Sequence, residues 1–135
     1  MADRGPLAVI GFFRAAMEVT VRRSRGDLTA RQLTVLLTVY SRSGPHTVRG
    51  LAAELGVAKP VITRALAALD RSGLIRRRRD ETDRRNVLVQ RTVQGSVFLN
   101  DLAEAIRAAW VAALPSAQSP INSPPVNSRA GGPPG

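Results

Sequence analysis

The stretch at residues 47–91 constrains what this chain can become more than any other. It opens with TVRGLAAELG, which has the marks of a short helix. Thr47 is placed to accept a first-turn N–H, and Gly56 to end the helix in a left-handed residue. Gly56-Val57-Ala58 forms the turn, and the spacing predicts a second helix over residues 59–72, stopped by Gly73. LIRRRR (74–79) reads as a short strand, DETDRR (80–85) as a turn without an apolar residue, and NVLVQR (86–91) as the returning strand. Helix, sharp turn and helix is the arrangement that sets a second, exposed helix into the major groove of DNA. The ribbon beside it is a wing. The expected class is mainly α with a small β-hairpin wing, a winged helix-turn-helix with flanking dimerisation helices.

Periodicity in the second helix supports that reading. Ile62, Leu66 and Leu69 fall at i, i+4 and i+7, so they share one face and are expected inside. The opposite face carries Pro60, Arg64, Ala67 and Arg71, with Thr63 on its flank. It is small, polar or cationic, and can approach base edges and phosphates closely. An ordinary solvated helix face has the same composition, and the basic wing next to it decides between the two.

Charge bears on the partner. The chain has 20 Lys+Arg against 10 Asp+Glu among its 135 residues, a net +10, and all but one of the basic residues are arginine. Residues 47–91 hold 11 basic and 5 acidic residues, so +6 sits in one third of the chain. A polyanion is the economical partner. The arginine forks suit phosphate and guanine edges, although a GC-rich genome also favours that codon choice.

Cysteine is absent and His46 is the only histidine. Thiolate metal sites, catalytic cysteines and multi-histidine zinc sites are therefore excluded, and no cofactor is expected. No apolar run reaches the ~18 residues that span a bilayer. The patch LAVIGFF is cut short by Arg14, with Glu18 four residues beyond, and makes a poor signal peptide. The chain reads as cytoplasmic.

Around the central stretch, residues 1–27 are read as an arm and a dimerisation helix. Residues 7–21 carry Leu7, Val9, Ile10, Phe12, Phe13, Met17, Val19 and Val21, more apolar faces than one monomer contact needs. RRSRGD (22–27) is a charged loop. Thr29-Ala30-Arg31-Gln32 matches a capping box and predicts a helix to about residue 42, with Leu33, Leu36, Leu37 and Tyr40 as its apolar stripe. Ser43-Gly44-Pro45-His46 is a turn, His46 facing solvent or a cap. Residues 28–91 make the winged helix-turn-helix domain. Thr92 caps a last helix over residues 92–114, a second dimerisation element with an apolar stripe of Phe98, Leu102, Ile106, Ala109 and Ala113, flanked by Leu99 and Trp110. Residues 115–135 contain six prolines, four serines and three glycines, too little apolar surface to offset ordering, and are expected to be disordered.

Two local expectations concern the grip on a ligand. Ala58 stands where the second helix would have its N-cap and offers no acceptor, so first-turn N–H groups are left for water or for a phosphate. Carboxylates at the ribbon tip would repel DNA unless engaged. Asp83, beside Arg84 and Arg85, makes sense if a bidentate pair fixes an arginine for the narrow minor groove.

Taken in order and spacing, LTARQLTVLLTVY, LAAELGVAKPVITRALAALDRSGLIRRRRD, DRR at 83–85 and TVQG at 92–95 resemble the MarR family of winged-helix transcription regulators over residues 28–114. The resemblance implies a homodimer whose first and last helices interlock, a recognition helix in the major groove and wings in the flanking minor grooves. It implies DNA contacts on Lys59, Pro60, Thr63 and Arg64, with Asp83 and Arg85 in the wing; Arg71 and Arg84 extend that cationic surface. Members usually repress genes and often respond to small aromatic acids, for which Phe13, Tyr40 and Trp110 are the candidate lining, each competing with a plain core role. The chain departs from the pattern at Ala58, where a serine is common, at Thr82, where an arginine is common, and in its proline-rich end.

The leading expectation is a sequence-specific double-stranded DNA-binding transcriptional regulator, a repressor acting as a homodimer on a near-palindromic operator. The alternative is a winged-helix module that binds RNA or a protein partner without regulating transcription. Few aromatics, and none in the ribbon, argue against base stacking on single strands. An enzyme is disfavoured: no acid/base pair, nucleophile set, phosphate loop or metal set is present.

Overall fold

The computed structural model describes residues 5–23 and 27–113. The extreme N-terminal arm, residues 24–26 of the charged loop and the proline-rich tail expected to be disordered lie outside the described residues. Among the described residues, five helices and a small sheet follow in the order α1 (Pro6–Arg23), α2 (Ala30–Ser41), β1 (His46–Thr47), α3 (Val48–Leu55), α4 (Lys59–Arg71), β2 (Ile75–Arg79), β3 (Val87–Arg91) and α5 (Val93–Ala113). None of the described helices is long and apolar enough to cross a membrane.

Helix boundaries follow the local chemistry. Thr29 opens α2 with a complete capping box: its hydroxyl accepts the Gln32 N–H at 3.0 Å, and the Gln32 side chain accepts the Thr29 N–H at 3.1 Å. Thr47 caps α3 through the Gly50 N–H at 2.9 Å, and Gly56 ends it at φ 69°, where a side chain would be strained. Gly73, at φ 79°, turns the chain out of α4.

The winged-helix core lies between α2, α3, α4, the sheet and the start of α5. Ile62, Leu66 and Leu69 are fully buried, as the 3.6-residue period requires, together with Leu36, Leu51 and Ile75. The stripe of α2 is turned relative to expectation. Val35 and Val39 are completely buried, whereas Leu37 is 40% exposed. The cause is that α2 is covered on two sides, by α4 and by β3. Thr38 is buried with it, its hydroxyl donating to the Thr34 carbonyl at 2.8 Å.

The expected two-stranded ribbon has a third member. β2 and β3 pair antiparallel with Arg77 opposite Val89, and β1 adds to the far edge of β3, giving the order β1-β3-β2. His46, read as part of a turn, therefore lies in a strand opposite Val89. Two residues carry no alternation, so nothing local marked them.

One polar knot joins α2, the sheet and α5. The Tyr40 hydroxyl donates to the Leu74 carbonyl at 2.8 Å, accepts the Thr92 N–H at 2.9 Å and lies 3.2 Å from the Thr92 carbonyl. Thr92 caps α5 through the Gly95 N–H at 2.9 Å while its own hydroxyl donates to the Gly73 carbonyl. Gly95 is what lets these segments meet, because a Cβ there would run into the Tyr40 hydroxyl and the Leu74 carbonyl. Arg91 closes the other side. It donates to the Val39 and Arg42 carbonyls, both at 3.0 Å, and stacks over Tyr40, placing a cation at the C-terminus of α2.

Helices α1 and α5 pack against each other. Ala16, Thr20 and Leu102 are buried, and Phe12 meets Trp110 edge-on with ring centroids 5.4 Å apart. Much apolar surface remains outside: Leu7, Val9, Ile10, Phe13 and Val21 on α1, and Trp110 and Val111 on α5, are all exposed.

Candidate nucleic-acid interface

Burial of one face of α4 fixes what its other face can present. With Ile62, Leu66 and Leu69 inside, Lys59, Pro60, Thr63 and Arg64 are left exposed on the first two turns. Arg71 is exposed at the far end of the same helix. Ala58 supplies no side-chain cap; only backbone closes the turn, through the Val61 N–H to the Ala58 carbonyl at 3.0 Å.

The wing tip is built by its acids. The Asp80 carboxylate accepts the Thr82 hydroxyl at 2.7 Å and the Thr82 N–H at 2.9 Å. Those bonds, the hydroxyl first, hold its pKa below the ordinary aspartate value. Asp80 N–H to the Asn86 carbonyl and Asn86 N–H to the Asp83 carbonyl close the loop. Asp83 engages Arg85 through one oxygen: Oδ1 accepts the Arg85 N–H at 3.1 Å and its Nε–H at 3.2 Å. The expected arginine is held, by a backbone-plus-side-chain pair at a single oxygen instead of a two-oxygen fork. Its side chain remains 85% exposed.

The four consecutive arginines divide between the sheet faces, as strand alternation requires. Arg77 turns to the helices and pairs with Asp70 of α4 at 3.0 Å. Arg78, on the other face, lies 3.5 Å from Glu81.

Helix and wing meet in one concave surface. A cleft of about 190 Å³ is lined by Val48 and Arg49 of α3, Lys59 and Thr63 of α4, and Arg85, Asn86 and Val87 of the wing. A second, of about 210 Å³, lies on the other flank of α4, lined by Thr29, Arg31 and Gln32 at the start of α2 and by Val61, Arg64 and Ala65. No carboxylate belongs to either lining. Of the residues singled out from sequence, Lys59, Thr63 and Arg85 are therefore brought together, and Arg64 sits at the opposite flank, its Nε donating to the Pro60 carbonyl at 3.4 Å. Arg84 is exposed at the wing tip, and Asp83 acts on Arg85. Arg31 and Arg49 were not anticipated. Each stands in the first turn of its helix, and nothing in the sequence separates them from other surface arginines.

The aromatic candidates fall in two places. Tyr40 is committed to the polar knot of the core. Phe13, 63% exposed, and Trp110, 46% exposed, belong to the α1–α5 pair.

Residues 28–87 match the model of the MarR family. Sequences of curated proteins give no match. Among solved structures, the YusO protein from Bacillus subtilis superposes with a TM-score of 0.67 at 20% identity, covering 80% of this chain and 74% of that one. The S. aureus MepR–DNA complex gives 0.66 at 20% identity, over 76% and 81% of the two chains. Reduced AbfR bound to DNA gives 0.59 at 26% identity, over 76% and 73%.

Proposed function

We propose that this chain, whose residues 28–87 form a winged helix of the MarR family, is a sequence-specific double-stranded DNA-binding repressor that acts as a homodimer in the cytoplasm. The observation that carries the reading is the wing-side cleft, where Lys59 and Thr63 from the exposed helix and Arg85 from the wing border one carboxylate-free surface. A helix and a cationic finger on one side of the molecule suit a major groove and the minor groove beside it. Thr63, Arg64 and Lys59 read bases, and the surrounding arginines supply phosphate contacts and most of the affinity. Use of this fold on DNA by MepR and AbfR supports the assignment.

The apolar surface left on α1 and α5 supports pairing of two chains. Two recognition helices across a two-fold axis then take half-sites about one helical turn apart on a near-palindromic operator. Release by a small aromatic acid is the regulatory part of the proposal, with Phe13 and Trp110 on the pairing helices as the residues nearest to such a role.

Selection of bound duplexes from a random pool, repeated with candidate aromatic acids, tests the whole. The expected result is a near-palindromic consensus that aromatic acids weaken. Equal retention of all duplexes at physiological salt, or preference for structured RNA over duplex DNA in competition, would overturn it.

A further inference from the structure

Three consecutive carbonyls follow the end of α4, and each has a donor. The Gln94 side-chain amide donates to the Ser72 carbonyl at 3.1 Å, the Thr92 hydroxyl to that of Gly73 at 2.7 Å, and the Tyr40 hydroxyl to that of Leu74 at 2.8 Å. Thr92 and Gln94 stand at the start of α5. The end of the helix proposed to read DNA is thus bolted to the start of a helix proposed to pair two chains. We propose that Gln94, acting with Thr92, sets the angle between the winged helix and α5, and so the half-site spacing that a two-fold dimer accepts. The inference rests on the proposed duplex-binding dimer and names what fixes its spacing.

Among the described residues, Phe98 and Leu99 are the α5 side chains packed into the winged-helix core, and the later turns of α5 run along α1. Apolar burial is not directional. A single apolar anchor therefore fixes where two bodies touch and leaves their angle soft. A hydrogen bond does have a direction and weakens steeply as its angle falls toward ~120°. Gln94 and Phe98 are four residues apart on one side of α5, about 6 Å along its axis. The Ser72 bond and the core contact thus hold the helix at two separate points. Gly73 makes room for the first of them. A Cβ there would stand 2.5 Å from the Gln94 side-chain oxygen.

The lever is long enough to matter. α4 has 13 residues, about 20 Å of helix. Lys59, Pro60, Thr63 and Arg64 lie in its first two turns, at the end away from the joint. A turn of about 10° at the joint displaces them by up to ~3 Å, close to the ~3.4 Å rise of one base pair. A two-fold axis doubles the change in separation, so about 5° in each subunit spans one base pair. An added base pair also rotates its half-site by roughly 35° about the duplex. A joint held at one angle rejects such sites, and a loosened joint follows them. Thr92 also caps α5 through the Gly95 N–H, so Gln94 is the residue whose removal reports on the angle with least effect on the helix itself.

The test compares the full chain with Gln94→Ala and Gln94→Glu. Glutamate keeps the shape of the side chain and suits a helix N-terminus, but its carboxylate cannot donate to the Ser72 carbonyl. Duplexes carry the selected half-sites at the selected spacing, and with one base pair removed or added. Wild type should bind the altered spacings about tenfold or more weakly, because the duplex must be distorted to fit. Both variants should cut that penalty several-fold. In Gln94→Ala, affinity for a duplex with a single half-site, sedimentation and the urea midpoint should stay close to wild type. A second readout needs no duplex. The chain has no cysteine, so Ala53→Cys, exposed on α3, takes one spin label per subunit. The label-to-label distance distribution of the dimer should widen by several ångströms in both Gln94 variants. Wild-type spacing penalties in the variants, an unchanged distance distribution, or equal weakening at every spacing would overturn the assignment. A wild-type chain that selects no paired half-sites removes the duplex-binding dimer along with this inference; paired half-sites with wild-type spacing penalties in the variants remove this inference alone.

Discussion

Asp83 carries a negative charge into the surface proposed to face DNA, and the sign of its effect separates two explanations. Counting charge alone, Asp83→Asn raises the net positive charge and should strengthen binding. The structure gives Asp83 another task, since its Oδ1 holds both the backbone N–H and the Nε–H of Arg85. We therefore expect Asp83→Asn to weaken operator binding by roughly 0.5–1 kcal/mol, the range of an exposed ion pair, as measured by fluorescence anisotropy at fixed salt. Tighter binding would mean that the carboxylate merely repels. Tyr40 is the stability counterpart. Tyr40→Phe leaves the Thr92 N–H and Leu74 carbonyl without their partner, and should cost about 1–3 kcal/mol in urea unfolding. Gly95→Ala should cost a similar ~1–3 kcal/mol by overpacking the same knot. Losses under ~0.5 kcal/mol in both variants would show that the knot is loose. Neither role was visible in the sequence. Tyr40 reads there as one more apolar position, because its hydrogen-bond partners lie 34 and 52 residues away.

Among the secondary elements, α3 and α4 were readable because each carries its own instructions. Thr47, Gly56 and Gly73 set their ends, and Ile62, Leu66 and Leu69 their orientation. The rotation of α2 was not readable, since a helix covered on two sides has apolar residues that suit more than one stripe. β1 escaped because a two-residue strand is defined by its partner β3, not by its own composition. The clefts beside α4 were equally hidden: they come from α2, α3 and the wing being folded against it. One element remains improvable. α4 is preceded by Ala58, whose backbone is extended as an N-cap should be but whose side chain has no acceptor. Ala58→Ser should raise stability by ~0.5–1 kcal/mol in chemical denaturation. No gain would mean that the first-turn N–H groups are already well satisfied.

For the molecule as a whole, the contrast is between a closed core and an open pair of helices. The interior around Leu36, Leu66 and Leu69 is fully shielded, whereas Ile10 is 60% exposed and Phe13 63% exposed on α1. If α1 pairs two chains as proposed, Ile10→Arg should leave unfolding of the winged helix nearly unchanged while shifting sedimentation toward the monomer and lowering affinity for a selected duplex by roughly tenfold or more. A variant that still sediments as wild type would remove α1 from the proposed pairing surface. The same molecule also offers a convenient chemical handle. Lys59 is the only lysine in 135 residues, and it lies where helix, wing and α3 converge. An acylating reagent thus has one ε-amine to find, and protection of that amine footprints occupancy of this surface without any engineered label.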